Sequence, residues 1–264
     1  MRTKTFCSYI LLPLAFMLLS NCKKRNKEDA LPLPEPPPSQ EEPKRYLPIK
    51  FESGNKLITI NYLNNTPLIA EIESTDGKKE VYSYNSDQKP VKYERYQNNE
   101  QVYLIDYLRN AYGLVVKANR FIIAPMTYTP DGYNTLSYDT NNTLINFKTY
   151  NNANKLLNEE VNEYNSIEDL VKKTTKVAGQ SDAITNLTYD NKNGIFKEVL
   201  FTELLKKSTT NDFLISTYHN IVDRIENTGT THFSYQYNTD NYPAQYISTN
   251  GNDVKTVKIT YRQL

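Results

Sequence analysis

Short runs of alternating apolar and polar residues, separated at nearly even spacing by Asn-rich turn segments, constrain this chain more than any other feature. A period of two assigns alternate side chains to opposite faces of a strand, and a long series of such runs with turns between them describes an antiparallel meander. Residues 57–62 and 67–73 flank Asn64-Asn65, Asp76-Gly77 leads into 81–84, and 85–89 turns into 91–96. The series continues through 101–108, 113–117, 121–128, 135–138, 143–149, 183–189, 213–218, 221–226, 231–237, 243–248 and 254–261, with Pro130-Asp131-Gly132 read as a turn. Only 8 glycines are present, so turn positions with positive φ fall to Asn, the non-glycine residue best able to take them. A flat sheet of this many strands would leave long edges open to aggregation. The predicted fold is therefore all-β, an antiparallel meander curled into a barrel or half-barrel.

Two stretches depart from the alternation. Ile195, Phe196, Val199, Leu200 and Leu204 fall at helical spacing after Asn193-Gly194, which predicts one short amphipathic helix near 195–206, plugging or capping the sheet. Within 156–177, Ser166-Ile167-Glu168-Asp169 has the form of a helix N-cap, and a long polar hairpin fits equally well.

The N-terminus carries an address. Arg2 and Lys4 precede an apolar run over 9–19 that is too short to span a bilayer, and Leu19-Ser20-Asn21-Cys22 resembles a bacterial lipobox, with Asn21 where Gly, Ala or Ser is usual. Residues 1–21 are thus read as a signal peptide and Cys22 as the lipidated residue, acylated with palmitate or a similar chain. The chain has 2 cysteines, and Cys7 would leave with the signal, so no disulfide is expected. Residues 22–48 hold Pro32, Pro34, Pro36-Pro37-Pro38, Pro43 and Pro48. That composition predicts an extended tether, about 70 Å long if fully extended from Cys22 to Tyr46. A single β domain is expected over 49–264.

A repeat lies inside the meander. Tyr82-Ser83-Tyr84-Asn85 with Pro90 and Tyr93 matches Tyr235-Gln236-Tyr237-Asn238 with Pro243 and Tyr246, and Leu136–Asp139 and Leu187–Asp190 are weaker copies. It reads as a hairpin unit in which Asn or Asp starts the turn and Pro starts the returning strand. The stretches 189–196, 220–222 and 235–243 resemble a group of uncharacterised Bacteroidetes lipoproteins, with Asn241 where relatives often have Gly. A more distant likeness is to the tyrosine-aspartate repeats of large secreted proteins. The first resemblance implies a porin-like all-β fold and an envelope address, and no activity.

The residues offer little catalytic chemistry. With 2 histidines and no free cysteine, a zinc site of the His/Cys type is not expected, and no cofactor motif or catalytic residue can be assigned. A hairpin turning at Thr228-Gly229 would set His232 opposite Ile225. The carboxylates Glu159, Glu160, Glu163, Glu168 and Asp169 form the densest acidic cluster and read as a solvated face. Net charge is +1 and no basic stripe is present, so nucleic acid is not an expected partner. Lys23-Lys24-Arg25 would instead sit against anionic headgroups. The chain contains 22 tyrosines, and Tyr82, Tyr84, Tyr235 and Tyr237 are the candidate binding residues. Their rings could stack on a glycan or grip an envelope protein, or serve cross-strand packing alone.

These readings give a non-enzymatic binding or structural lipoprotein, anchored to the outer membrane through Cys22, with its periplasmic or surface side open. The alternative is a periplasm-facing carrier holding a lipid or other apolar ligand in a half-barrel cavity. An enzyme ranks third.

Overall fold

The computed structural model describes residues 43–264 apart from Met126 and Asp212. The signal segment, Cys22 and tether residues 22–42 lie outside the described residues. Pro43–Leu264 forms one compact unit. Its strands are β1 (Tyr46–Ser53), β2 (Lys56–Tyr62), β3 (Ile69–Ser74), β4 (Lys78–Tyr84), β5 (Pro90–Gln97), β6 (Glu100–Arg109), β7 (Val115–Ala124) and β8 (Thr127–Tyr138). They continue as β9 (Leu144–Tyr150), β10 (Leu156–Tyr164), β11 (Leu170–Val177), β12 (Ala183–Tyr189), β13 (Ile221–Glu226), β14 (Gly229–Tyr237), β15 (Pro243–Asn250) and β16 (Asp253–Gln263). One helix, α1 (Thr202–Ser208), lies between β12 and β13. Every strand pairs antiparallel with its sequence neighbours, and β1 pairs with β16 from Tyr46↔Gln263 to Glu52↔Lys258. The sheet is thus a closed barrel, and closure removes both edges.

Several sequence expectations are corrected. The barrel begins at Tyr46, because Leu47 is fully buried and Pro48 sits beside a bulge where a missing N–H is tolerated. The 156–177 segment is the β10–β11 hairpin, and its Ser166-Ile167-Glu168 stretch is the turn rather than a helix cap. Pro130-Asp131-Gly132 lies inside β8, with Gly132 opposite Arg120 and Pro130 opposite Phe121, so the motif makes a bulge; the chain reverses between Ala124 and Thr127. Gly132 is required there, since its φ is +114° and a Cβ would lie 2.1 Å from the Tyr150 carbonyl oxygen. Residues 213–218 form no strand, and the helix is shorter than 195–206, with Ile195, Phe196 and Val199 entering through turns before it. The β13–β14 turn is at Asn227-Thr228, which pairs His232 with Asp223 instead of Ile225.

One turn design is used repeatedly. In the turns starting at Asn85, Asn110, Asp139, Asn165 and Asn238, the side-chain Oδ1 accepts the backbone N–H groups two and four residues on, at 2.8–3.2 Å. The fourth turn residue has positive φ: Gln88, Gly113, Asn142, Glu168 and Asn241. Asn241, at φ 62°, thus holds the position that Gly113 fills in the turn from Asn110. Asp190 begins the same turn, with Oδ1 accepting Lys192 N–H at 2.9 Å, but the second N–H comes from Asn220 at 3.1 Å. The segment between them is an insertion into a standard hairpin turn.

That insertion fills the barrel. Gly194 N–H donates to Tyr218 O at 2.9 Å and Phe196 N–H to Ser216 O at 2.8 Å, bringing the incoming and outgoing chains together. Phe196 and Phe213 then stack on each other at 5.5 Å and on Phe51 of β1 at 5.8 and 4.9 Å. Ile58, Ile60, Ile72, Phe233 and Val257 complete this side of the core. Leu204 packs on the other side against Tyr93, Ile105, Leu136 and Phe147. The outward positions are different. Lys79 meets Glu71 at 2.5 Å and Glu73 at 3.5 Å, and Lys50–Glu52, Lys92–Glu94, Lys148–Glu159 and Lys172–Glu163 pair at 2.7–3.4 Å.

Candidate functional site: the plug and its flanking cavities

On the inward faces of the strands the plug meets polar groups. Glu80 occupies an inward position of β4, in phase with Tyr82 and Tyr84, and is fully buried. Its Oε1 accepts Thr210 N–H at 2.7 Å and Thr210 Oγ1–H at 3.0 Å. Lys207 of α1 reaches Glu160 on β10, and Ser208 Oγ lies 3.2 Å from the Tyr82 hydroxyl. The plug tip is thus tied to the wall at β4 and β10. In the sequence Glu80 is marked only as a carboxylate in phase with Tyr82 and Tyr84, away from the acidic cluster at 159–169.

The candidate tyrosines are all engaged within the barrel. Tyr84 OH donates to Ile69 O at 2.8 Å and Tyr235 OH to Ile221 O at 2.5 Å, while Tyr237 OH donates to Asp190. Tyr62, Tyr138, Tyr164 and Tyr189 make similar bonds, at 2.7–3.0 Å, to carbonyls at or near the start of the preceding strand. Tyrosine thus closes strand ends around one rim. Burial raises the Tyr82, Tyr84, Tyr235 and Tyr237 phenols well above their ordinary pKa.

Both histidines stand beside a carboxylate. His219 Nδ1 is 2.7 Å from Asp169 Oδ2, which is almost fully buried, and His232 Nδ1 is 2.6 Å from Asp223 Oδ1 on the exterior. The acidic cluster is divided between faces: Glu160 points inward to Lys207, Glu159 and Glu163 pair outward with Lys148 and Lys172, and Glu168 accepts Tyr218 OH at 2.5 Å. That bond raises the Tyr218 phenol to about 12. Among the described residues no group of three His, Cys, Asp or Glu side chains is placed to hold a metal.

Two cavities flank the plug. The first, of about 430 Å³, lies at the rim between the 113–115 and 141–144 segments and plug residues 196–204. Leu200, expected to fill the interior, is 49% exposed beside it. The second, of about 350 Å³, lies between the far side of the plug and β10–β13. Its wall combines Leu187, Phe213 and Ile215 with Lys173, Lys207 and Asn211. Burial lowers the Lys207 ammonium's pKa, which Glu160 partly restores.

No known family description matches the chain, and no curated protein does. Among solved structures, a porin-like protein from Bacteroides uniformis ATCC 8492 is similar over 83% of this chain and 96% of its own, at 15% identity and a TM-score of 0.49. The TcdB2-TccC3-Cdc42 structure is similar over 79% of this chain at 13% identity and a TM-score of 0.35, and the chain spans 14% of that one.

Proposed function

We propose that this protein is a non-enzymatic binding lipoprotein of the cell envelope whose barrel stands in water and is held to the membrane only through the lipid on Cys22. The observation that carries this reading is the charge on the outward strand positions. Lys–Glu pairs occupy them on β1, on β3 to β5 and on β9 to β11, whereas a membrane-spanning barrel turns an apolar band to the lipid, where a charged side chain costs about 2–4 kcal/mol at mid-depth. The interior supports binding over transport, since the plug stacks on Phe51 and blocks a through-channel on that side. It also speaks against an acyl-chain carrier, because both cavities flanking the plug have charged and amide side chains in their walls.

The test is fractionation. The natural chain should be recovered with membranes and incorporate labelled palmitate. Residues 23–264 behind a cleavable, non-lipid secretory leader should be recovered in the soluble envelope fraction. Retention of that second protein in membranes through alkaline carbonate washing would overturn the reading.

A further inference from the structure

The cavity between the plug and β10–β13 holds polar groups that the fold leaves unused. Asn211 is 7% exposed and, among the described residues, neither its Nδ2 nor its Oδ1 has a hydrogen-bond partner. Asn162 is 5% exposed; its Nδ2 donates to Leu144 O at 3.0 Å, but its Oδ1 is unpartnered among the described residues. Buried amides without partners are rare in folded proteins, and they point to a role the fold itself does not supply. Both side chains line the same space.

The charges there are also uneven. Lys206 is matched by Glu203 at 2.8 Å, Lys207 by Glu160, and Arg224 Nε stands 3.9 Å from Glu226. Lys173 lines the cavity and has no ion pair among the described residues. One cation is therefore left facing the space. Leu187, Phe213 and Ile215 add an apolar part to the same lining.

A ligand that satisfies all three features needs one anionic group, several groups that both donate and accept hydrogen bonds, and an apolar face. A fatty acid lacks the second, and a simple inorganic anion lacks the third. A pyranose has hydroxyls at its edge and C–H groups on its face, and a ring carboxylate supplies the charge. The volume of about 350 Å³ falls within the range of small-molecule sites. We propose that this cavity binds an acidic sugar, a pyranose unit carrying one carboxylate, with Lys173 holding the carboxylate, Asn211 and Asn162 the hydroxyls, and the apolar part of the lining the ring face. This rests on the reading of the protein as a binding lipoprotein and names its ligand class.

Calorimetric titration of the full chain with glucuronate, glucose and acetate tests it. Glucuronate should bind at one site, and glucose and acetate at least tenfold more weakly. Lys173→Met should weaken glucuronate at least tenfold. Asn211→Leu should do the same without lowering Tm, because no hydrogen bond of the free protein is lost. The proposal is overturned by no heat with glucuronate, by glucose or acetate binding as tightly, or by both variants binding as the natural chain does. Each of those results leaves the fractionation test of the tethered barrel to be decided separately.

Discussion

Glu80→Ala is the perturbation that most directly asks whether the plug is latched to the wall. In the native barrel one carboxylate oxygen accepts two bonds from Thr210, at 2.7 and 3.0 Å, in a fully buried position. Hydrogen bonds to a charged group contribute about 1.5–3 kcal/mol each, and a buried N–H left without an acceptor costs about 1–3 kcal/mol. Removing the carboxylate should therefore destabilise the barrel by about 3–5 kcal/mol, since these contributions overlap. At about 2–4 °C per kcal/mol for a domain of this size, Tm should fall by about 10 °C. Glu80→Gln keeps an acceptor for Thr210 and should fall by less than half as much. Glu73→Ala is the outward control, since its contact with Lys79 is 3.5 Å long and exposed, and it should change stability by under about 1 kcal/mol. A second readout is trypsin cleavage at Lys206-Lys207, whose ion pairs and burial protect them in the native barrel. Glu80→Ala should expose that site at temperatures where the natural chain resists. A Tm within about 2 °C of the natural protein, with no new cleavage, would refute the latch.

Gly194→Ala should destabilise the barrel by several kcal/mol, because the added Cβ would lie 1.9 Å from the Thr217 carbonyl oxygen where the incoming and outgoing plug segments pass; thermal unfolding would show it. Alkaline titration should reveal the buried phenols. Burial raises the Tyr138 phenol to about 12 in the folded state, against about 10 unfolded, so the folded chain holds more protons above pH 10. Stability is then full below pH 10 and is lost as pH rises toward 12. The part of the 295 nm absorbance that comes from buried phenols should accordingly rise in one cooperative step together with loss of sheet circular dichroism; free ionisation of most tyrosines before unfolding would contradict the structure.

Most strands, and the hairpin repeat at 82–93 and 235–246, follow from local rules. Alternation assigns faces, and Asn or Asp at a strand end captures two backbone N–H groups, whatever lies elsewhere in the chain. The same rules mislead where a distant contact decides. Pro130-Asp131-Gly132 has the residues of a turn, yet β7 and β9 hold it in a bulge, since Gly132 must admit the Tyr150 carbonyl. Residues 213–218 alternate like a strand, yet Phe213 is drawn into a stack with Phe51 and Phe196, residues from two other parts of the chain. Closure of β1 on β16 depends on a pairing across the full length of the barrel domain, which no local window contains. The alternation names two faces without saying which one turns inward. It is the plug, packed inside, that makes Glu80 a latch and leaves Asn211 and Lys173 facing an open cavity. Periodicity is a property of neighbouring residues, whereas burial and polar pairing are properties of the whole fold.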